Sequence, residues 1–323
     1  MQNRGFCHLR RSSLETKLES QTTTFFILKK LRYFIDRQAG LLMSLPALIF
    51  AILFILYPLA QMFYLSLFRW NFVSPNMFFV GLENFARMFF NDPVYLRSLL
   101  NVLLLAAQSS AIQIPIGVAM ATIIIRHRRV GRAIWAIIFL PYVISSVAVS
   151  LIWTWMYNPY FGSVNGFLQF IGLGFLARPW LSDINTALIA IFGTVNWIYI
   201  GLTTTMIIAT LRSIPPSIFE SARIDGLSGF QEFRKITLPL LKELIVVLVI
   251  IDIAGAFKFF DLIWVMTQGG PSDTTHVTTT WLYRAAFRAS EPGYGAAIGV
   301  TIFIFSFVIV QLLIKFTRSR LTR

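Results

Sequence analysis

The sequence predicts an all-α, polytopic membrane protein with six transmembrane helices. Of its 323 residues, 56% are hydrophobic and only 13% are charged, whereas an ordinary soluble domain has about 25% charged residues. A soluble protein with so many large apolar side chains, 31 Phe among them, would lack the polar residues to cover its surface. Lipid is the solvent in which this composition is stable.

Six apolar runs are long enough to cross a bilayer, which requires about 20 residues of helix. They cover residues 41–68, 98–125, 133–157, 185–211, 240–267 and 292–314. Within a run the apolar residues are continuous, as in 47–57, whereas a transmembrane β-strand alternates apolar and polar residues. The runs are therefore predicted to be helices. In the last run, Gly295 and Gly299 form a G-x-x-x-G face that predicts close helix packing.

Lys and Arg residues are divided unequally between the links that join these runs. Residues 1–40, the links 126–132 and 212–242 and residues 315–323 hold 21 of the 28 Lys and Arg residues, and the opposite links hold six. The positive-inside rule then predicts that both termini and the 212–242 link are cytoplasmic. Topology accounts for the net charge of +14, so nucleic acid is not expected as a partner.

Three parts of the chain follow from this pattern. Residues 1–40 form a basic arm, residues 41–315 form the transmembrane domain, and residues 316–323 form a cytoplasmic tail. Within the arm, residues 25–37 form either an interfacial helix or a disordered basic stretch. The first apolar run begins too late, and is too long, for a cleaved signal peptide, so we expect it to remain as the first span.

Several kinds of chemistry lack the residues that they require. One cysteine and three dispersed histidines provide neither a disulfide nor a cluster of metal ligands. No lysine follows a glycine, so the sequence has no phosphate-binding P-loop and no ATPase site of its own. No nucleophile, base and oxyanion group stand in a pattern typical of an enzyme. We therefore expect no catalytic residue, bound cofactor or metal in this chain.

The 212–242 link carries signals for a short helix. Ser217, with Glu220 three residues later, fits a capping box at a helix start. Gly226 stands where the end of such a helix requires a residue in the left-handed conformation. Together these signals predict a helix over residues 217–225.

A second short helix is predicted directly after this glycine turn. Ser228 and Gln231 form another capping-box pattern, and Leu238 followed by Pro239 opens the fifth span. The link is therefore expected to fold as a short helix, a glycine turn, a second short helix and then the span.

The first of these helices is expected to present a small apolar surface. Ile218, Phe219 and Ala222 recur at helical spacing. The polar residues around them are Glu220, Arg223 and Asp225. An apolar knob inside a polar ring is typical of a helix that inserts into a groove of a partner. The alternative is a surface helix that lies against the spans, and the local pattern fits both.

The same link resembles the cytoplasmic loop of the inner-membrane components of binding-protein-dependent ABC importers. Their motif is Glu-Ala-Ala, three residues, Gly, nine residues, Ile, one residue and Leu-Pro. The matching residues here are Glu220, Ser221, Ala222, Gly226, Ile236, Leu238 and Pro239. Ser221 replaces the middle Ala of the motif, which exchanges one small residue for another.

Further segments are similar to the maltose and glycerol-phosphate branch of this family, and the similarity extends over about residues 40–315. These segments are residues 45–47, 57–59, 81–85, 140–142, 257–261, 267–271 and 293–297. The resemblance implies the six-helix permease fold of type I ABC importers. It also implies the function of a membrane-spanning permease subunit that forms the translocation path for a carbohydrate-type solute.

The resemblance implies partners as well. They are a second permease subunit, with a heterodimer favoured, two ATPase subunits that dock on residues 212–239, and an extracytoplasmic solute-binding protein. ATP and Mg²⁺ would be bound by the ATPase subunits. The implied location is the bacterial cytoplasmic (inner) membrane, where the chain contacts lipid.

A few polar residues fall inside the predicted spans, where a charge costs roughly 2.5–3.5 kcal/mol on insertion scales. Lys258 and Asp261 are three residues apart in the fifth run and are expected to share a helix face. They either line the translocation path or form an internal ion pair. Asn196, Tyr199 and Tyr294 are further candidates for the path, although a lone amide often only joins two helices.

Two other classes of protein remain as alternatives. An ion-coupled secondary transporter or channel would need no docking loop, and its transport would continue without ATP while a gradient lasts. An integral-membrane enzyme would place a cluster of His, Asp or Glu at a membrane face, and the sequence has no such cluster. The sequence does not specify the solute, since sugars of different length, acidic sugars and glycerol phosphates all fit the resemblance.

Overall fold

The computed structural model of the protein describes residues 43–321, and helices dominate this range. In chain order they are α1 (Met43–Leu65), α2 (Glu83–Ala86), α3 (Pro93–Arg126), α4 (Arg128–Val143), α5 (Ser146–Met156), α6 (Ser163–Phe170), α7 (Ala187–Ser213), α8 (Pro216–Ile224), α9 (Gly229–Glu232), α10 (Leu238–Leu240), α11 (Lys242–Ala256), α12 (Asp261–Thr267), α13 (Thr278–Tyr283) and α14 (Pro292–Leu321). The predicted all-α fold class is confirmed. The arm 1–40, with its proposed interfacial helix at 25–37, lies outside the described residues.

Shorter elements interrupt or join these helices. π-helical turns occur at Ile52–Leu56, Arg87–Asn91, Phe233–Thr237 and Arg284–Arg288, and a 3-10 turn occurs at Gly174–Leu176. After α1, strands β1 (Phe68–Arg69) and β2 (Phe78–Phe79) form a small antiparallel sheet in which Phe68 pairs with Phe79.

The six apolar runs fold as four continuous and two interrupted segments. In the described range, four helices are long and apolar enough to cross a membrane, namely α1, α3, α7 and the part of α14 over Pro292–Lys315. The third run forms α4 and α5, which are bent by 101° relative to each other. Pro141, inside α4, cannot donate a helical hydrogen bond and so weakens the turn before this bend. The fifth run is divided by residues 257–260 into α11 and α12.

α3 and α7 pack together at the centre of the core. Val102 and Leu105 of α3 belong to the same buried cluster as Ile191 and Val195 of α7. Another face of α7 contacts α4, where a Cβ atom on Gly201 would lie 2.1 Å from the carbonyl oxygen of Ile138. This crossing therefore requires a glycine.

The last span also packs closely through glycine, as its G-x-x-x-G face predicts. A Cβ atom on Gly295 would lie 2.6 Å from the Cβ atom of Ala286, and one on Gly299 would lie 2.6 Å from the Sδ atom of Met62. The helix continues to Leu321 and so extends through most of the predicted tail at 316–323.

Candidate functional site

Residues 212–239, the segment expected to dock the ATPase subunits and here called the coupling segment, contain α8 as their first complete helix. The amide of Ile218 donates to the carbonyl of Pro215 over 3.2 Å, so helical hydrogen bonding starts before Ser217. Pro216 is the first residue of the helix, a position that tolerates proline because its amide would have no helical partner. Ser217 therefore lies inside the first turn, and the prediction that it forms an N-terminal capping box with Glu220 is wrong.

The end of α8 is formed by the predicted glycine turn. Gly226 has a φ of +75°, and the amide of Leu227 donates to the carbonyl of Ala222 over 3.1 Å. This six-to-one hydrogen bond is the mark of a Schellman C-cap. A Cβ atom on Gly226 would meet no atom within 4 Å, so backbone conformation, not space, requires the glycine.

The second capping box of the segment is confirmed. The hydroxyl of Ser228 accepts from the amide of Gln231 over 3.4 Å, and the side chain of Gln231 accepts from the amide of Ser228 over 2.9 Å. These two bonds start α9, and the π-helical turn Phe233–Thr237 then leads to Leu238 and Pro239 at the start of α10.

The exposed surface of α8 and α9 differs in part from the predicted knob. Ile218 is 38% exposed and Phe219 is half-buried, but Ala222 is only 3% exposed. Ala222 is therefore buried and does not belong to an exposed knob. Instead, Ile224 is 85% exposed and Phe230 is 72% exposed. Neither side chain was part of the predicted knob, although both are large apolar residues beside the glycine turn.

Polar residues of the motif surround this surface. Glu220, Ser221 and Asp225 are exposed, and the amide of Asp225 donates to the carbonyl of Ser221 over 2.9 Å. Leu238 and Pro239 are exposed as well. The segment thus combines accessible apolar side chains, a polar rim and local caps that fix the backbone.

The two interrupted spans meet at their breaks. Ser146 is the first residue of α5 and Asp261 is the first residue of α12, and the Ser146 hydroxyl donates to the Asp261 carboxylate over 3.0 Å. Lys258 lies between α11 and α12 and is exposed. Lys258 and Asp261 do not share a helix face, because the helix stops between them. Among the described residues no ion pair joins them either, so the predicted internal ion pair is wrong.

A chain of amides joins α3 to α7. The Asn196 side chain donates to Gln108 over 2.7 Å and accepts from Gln113 over 3.1 Å, and the Thr203 hydroxyl donates to Gln113 over 3.5 Å. Asn196 and Gln113 are both buried. In this structure Asn196 therefore connects two helices, and its role in the translocation path stays a prediction.

Tyr199 lies among aromatic rings near the two breaks. Its ring centroid is 5.8 Å from that of Tyr142 at the end of α4 and 6.4 Å from that of Phe259. Tyr199 is half-buried and Tyr142 is exposed. Together with Asp261, these rings place aromatic surface and a carboxylate around the interrupted spans.

Tyr294 occupies a different position, in a polar network centred on Asp92. The Tyr294 hydroxyl and the indole nitrogen of Trp281 both donate to the Asp92 carboxylate, the latter over 2.8 Å. The other carboxylate oxygen of Asp92 accepts from the amide of Tyr95 over 2.9 Å and caps α3. The Tyr294 side chain is thus occupied by these internal contacts, and its role in the path stays a prediction.

An ion pair lies beside this network. Arg87 contacts Glu291 over 3.0 Å, and its guanidinium carbon lies 4.3 Å from the centre of the Tyr294 ring. The hydrogen bond to Glu291 raises the pKa of Arg87, although partial burial acts in the opposite direction.

The loop between α12 and α13 is fixed by buried side chains. The side-chain amide of Asn101 donates to the backbone carbonyls of Thr274 and His276, both over 2.8 Å. His276 is fully buried; its Nδ1 atom lies 3.0 Å from the Thr280 hydroxyl, and its Nε2 atom lies 3.3 Å from Arg284.

Two charged groups lie at the Nε2 atom of His276. Arg284 is 3.3 Å away from it and the Asp273 carboxylate is 3.5 Å away. Burial lowers the pKa of His276 to about 4, the nearby carboxylate of Asp273 raises it, and Arg284 lowers it. The ring is therefore neutral at pH 7.

No group of three or more His, Cys, Asp or Glu side chains is placed to hold a metal ion within residues 43–321. The arrangements described above instead provide three things. They are an exposed apolar surface on the coupling segment, a pair of broken spans that carry polar and aromatic side chains, and a loop region joined by buried hydrogen bonds.

Comparisons with known proteins agree on one family. The sequence profile of the family described as "Binding-protein-dependent transport system inner membrane component" matches residues 113–323. The chain is 34% identical over 280 residues to the probable ABC transporter permease protein YurN of Bacillus subtilis, which covers 86% of this chain and 95% of that protein.

Two further comparisons extend this result. The chain is 32% identical to the trehalose/maltose transport system permease protein MalF of Thermococcus litoralis, over 88% of this chain and 95% of that protein. It is also similar to a chain in the crystal structure of a bacterial ABC transporter that imports the acidic polysaccharide alginate. That similarity has a TM-score of 0.78 and 26% identity, and it covers 91% of this chain and all of that one.

Proposed function

The chain belongs to the inner-membrane components of binding-protein-dependent transport systems, and on that premise we propose that it forms part of the translocation path of an ATP-driven carbohydrate importer. It is a membrane-spanning permease subunit, a component of transport and not an enzyme. The carbohydrate class is supported by the relatives, because the Thermococcus protein is named for trehalose and maltose and the solved structure for alginate.

The observation that carries the coupling role is the exposure of α8 and α9. Ile224 and Phe230 are large apolar side chains that the described part of the chain leaves largely uncovered. Caps at Gly226 and Ser228 fix the backbone that presents them. A rigid helix with exposed apolar anchors suits insertion into a groove of another protein, and the proposed partner is an ATPase subunit.

The proposed complex contains a second permease subunit, two ATPase subunits and an extracytoplasmic binding protein, in the bacterial cytoplasmic membrane. Both termini and residues 212–239 face the cytoplasm. ATP and Mg²⁺ are held by the ATPase subunits, and this chain binds neither. Closure of the ATPase subunits moves the coupling segment as a lever, and the spans then open outward.

The experiment is a reconstitution of the complex in liposomes with its binding protein. We expect Ile224→Ser to lower copurification of the ATPase subunits and binding-protein-stimulated ATP hydrolysis at least tenfold, while insertion of the permease is unchanged. Val130→Ser is the matched control, because Val130 is 62% exposed in the other cytoplasmic link. Normal ATPase association in Ile224→Ser contradicts the coupling role.

The same liposomes test the path and the energy source. Asp261→Asn is expected to reduce uptake of labelled maltose, maltotriose or alginate oligosaccharide severalfold without loss of assembly, because its carboxylate lies exposed at the two breaks. Asp183→Asn, in the loop before α7, is the control. Uptake that persists without ATP under an ion gradient would instead support the secondary transporter.

A further inference from the structure

An apolar groove lies between α3 and the segment that leads from α9 into α11. Its volume is about 270 Å³. One wall is formed by Ile114, Pro115, Val118 and Ala119 of α3. The other wall is formed by Phe233, Leu238 and Ile245. All these residues are apolar, and Leu238 is 40% exposed, so the groove is open to the surroundings of the spans.

Local structure explains why the two walls leave this space. On α3, Pro115 interrupts the helical hydrogen bonding and Ala119 has a small side chain. On the opposite wall, the amide of Leu238 donates to the carbonyl of Phe233 in a π-helical turn. This wider turn brings Phe233 and Leu238, five residues apart, to the same side.

Two exposed cations, one on each wall, share a helix face with residues that line the groove. Lys242 is four residues after Leu238 and three before Ile245, so it shares their helix face. Arg234 directly follows Phe233 and is exposed. On α3, Arg126 continues the stripe of Pro115 and Ala119, at a spacing of seven residues from Ala119.

These three cations lie at one end of the bundle and are exposed. α3 ends at Arg126 and α11 begins at Lys242, so the two helices meet the same membrane boundary there. The carboxylates of this stretch are Glu232 and Glu243. Glu243 follows Lys242 by one residue and therefore points about 100° away around the helix. The groove-facing positions thus carry positive charge.

We propose that this groove binds an acyl chain of an anionic phospholipid, whose phosphate is held by Arg126 and Lys242. Basic residues beside apolar gaps between transmembrane helices suit anionic headgroups, and phosphate accepts charge-assisted hydrogen bonds from Arg and Lys. Because Phe233 directly follows α9, the bound lipid fixes the base of the coupling segment.

The test measures lipid binding by native mass spectrometry of the detergent-purified complex. The probes are phosphatidylglycerol and phosphatidylcholine with identical acyl chains. We expect the wild type to bind phosphatidylglycerol in preference. Lys242→Gln is expected to weaken phosphatidylglycerol binding about fivefold, the factor that corresponds to roughly 1 kcal/mol per basic residue near an anionic surface.

Two further variants make the test specific. Arg212→Gln removes an exposed cation at the same end of α7, a helix that contributes no residue to the groove, and it should leave binding unchanged. Ala119→Leu fills the groove and should weaken the binding of both lipids while the complex still assembles.

Three outcomes would overturn the proposal. They are equal binding of both lipids by the wild type, equal losses in Arg212→Gln and Lys242→Gln, and crosslinking of a photoreactive residue at position 119 to the second permease instead of lipid. The measurement requires no transport, so its failure leaves the carbohydrate importer proposal standing.

Discussion

The loop region around Asp92 and the coupling segment are stabilised in opposite ways. Around Asp92 and Asn101, buried side chains bond to residues between 173 and 202 positions away in the sequence. In the coupling segment the side-chain cap at Ser228 spans three residues. Ile224 and Phe230 stay exposed there. The first region is completed by contacts within the chain, and the second leaves large apolar side chains exposed.

This difference has consequences for mutations. A buried donor or acceptor that loses its partner costs about 1–3 kcal/mol, so changes around Asp92 should act on the stability of the chain itself. Changes in a segment with few internal contacts alter local order while the global fold persists. Variants around Asp92 should therefore lose stability, whereas variants in the coupling segment should lose partner binding.

The largest effect is expected from Asp92→Ala. This change removes the N-cap of α3 and leaves the donors of Trp281 and Tyr294 without their acceptor. We expect a loss of roughly 3 kcal/mol or more, the sum of a lost cap and unsatisfied buried donors. Thermal unfolding of the detergent-purified complex, followed by tryptophan fluorescence, measures it.

Asp183→Ala is the control for this variant. The Asp183 carboxylate accepts only from Asn185 among the side-chain hydrogen bonds of the described residues, so its loss should cost about 1 kcal/mol or less. If both aspartate variants unfold at the same temperature, the Asp92 network does not stabilise the chain as the comparison requires.

The two regions also differ in how far the sequence predicts them. Gly226 and Ser228 form their turn and cap with residues only a few positions away in the sequence. Local turn and capping preferences are therefore enough to predict them. The partners of Asp92 are 189 and 202 residues away, and no local preference encodes such pairings. The sequence did contain one local signal for the role of Asp92 as a cap. Asp followed by Pro is a typical N-cap and first helical residue, and Asp92 and Pro93 occupy these positions.

The intramembrane candidates show the same limit. Apolar runs locate the spans, but the break at residues 257–260 is not visible in the hydropathy of the fifth run. This break places Lys258 outside α12, the helix that begins at Asp261. Pro141 was a usable signal for the bend between α4 and α5. Ile224 was not predicted to be part of the knob because it is two residues after Ala222 and so lies on the opposite side of α8.

A smaller effect is expected from the protonation of His276. Its pKa in the folded chain is about 4, below the ordinary value of about 6.5. Above pH 6.5 the ring is neutral whether the chain is folded or unfolded, so the full stability is present. As the pH falls from 6.5 towards 4, only the unfolded chain binds the proton, and stability is lost at up to about 1.4 kcal/mol per pH unit.

Unfolding temperatures of the purified complex between pH 7.5 and pH 5 measure this dependence. His276→Gln should have a shallower decline than the wild type, whatever its stability at pH 7.5. His127→Gln, in the exposed link after α3, should retain the decline of the wild type. An unchanged slope in His276→Gln would show that other groups cause the acid sensitivity.

The smallest effect on stability, and the most specific effect on coupling, is expected from Gly226→Ala. A residue other than glycine in the left-handed region costs roughly 1–2 kcal/mol, and the φ of Gly226 is +75°. Gly229→Ala is a matched control. A Cβ atom at either site would have no neighbour within 4 Å, but Gly229 is the first residue of α9 and its φ is not positive.

A cost of this size cannot unfold the spans, so both variants should insert normally. Only Gly226→Ala should lose ATPase copurification, because the end of α8 and the direction of Ile224 change. Equal copurification in the two variants would mean that the partner, and not the glycine turn, determines the conformation of the coupling segment.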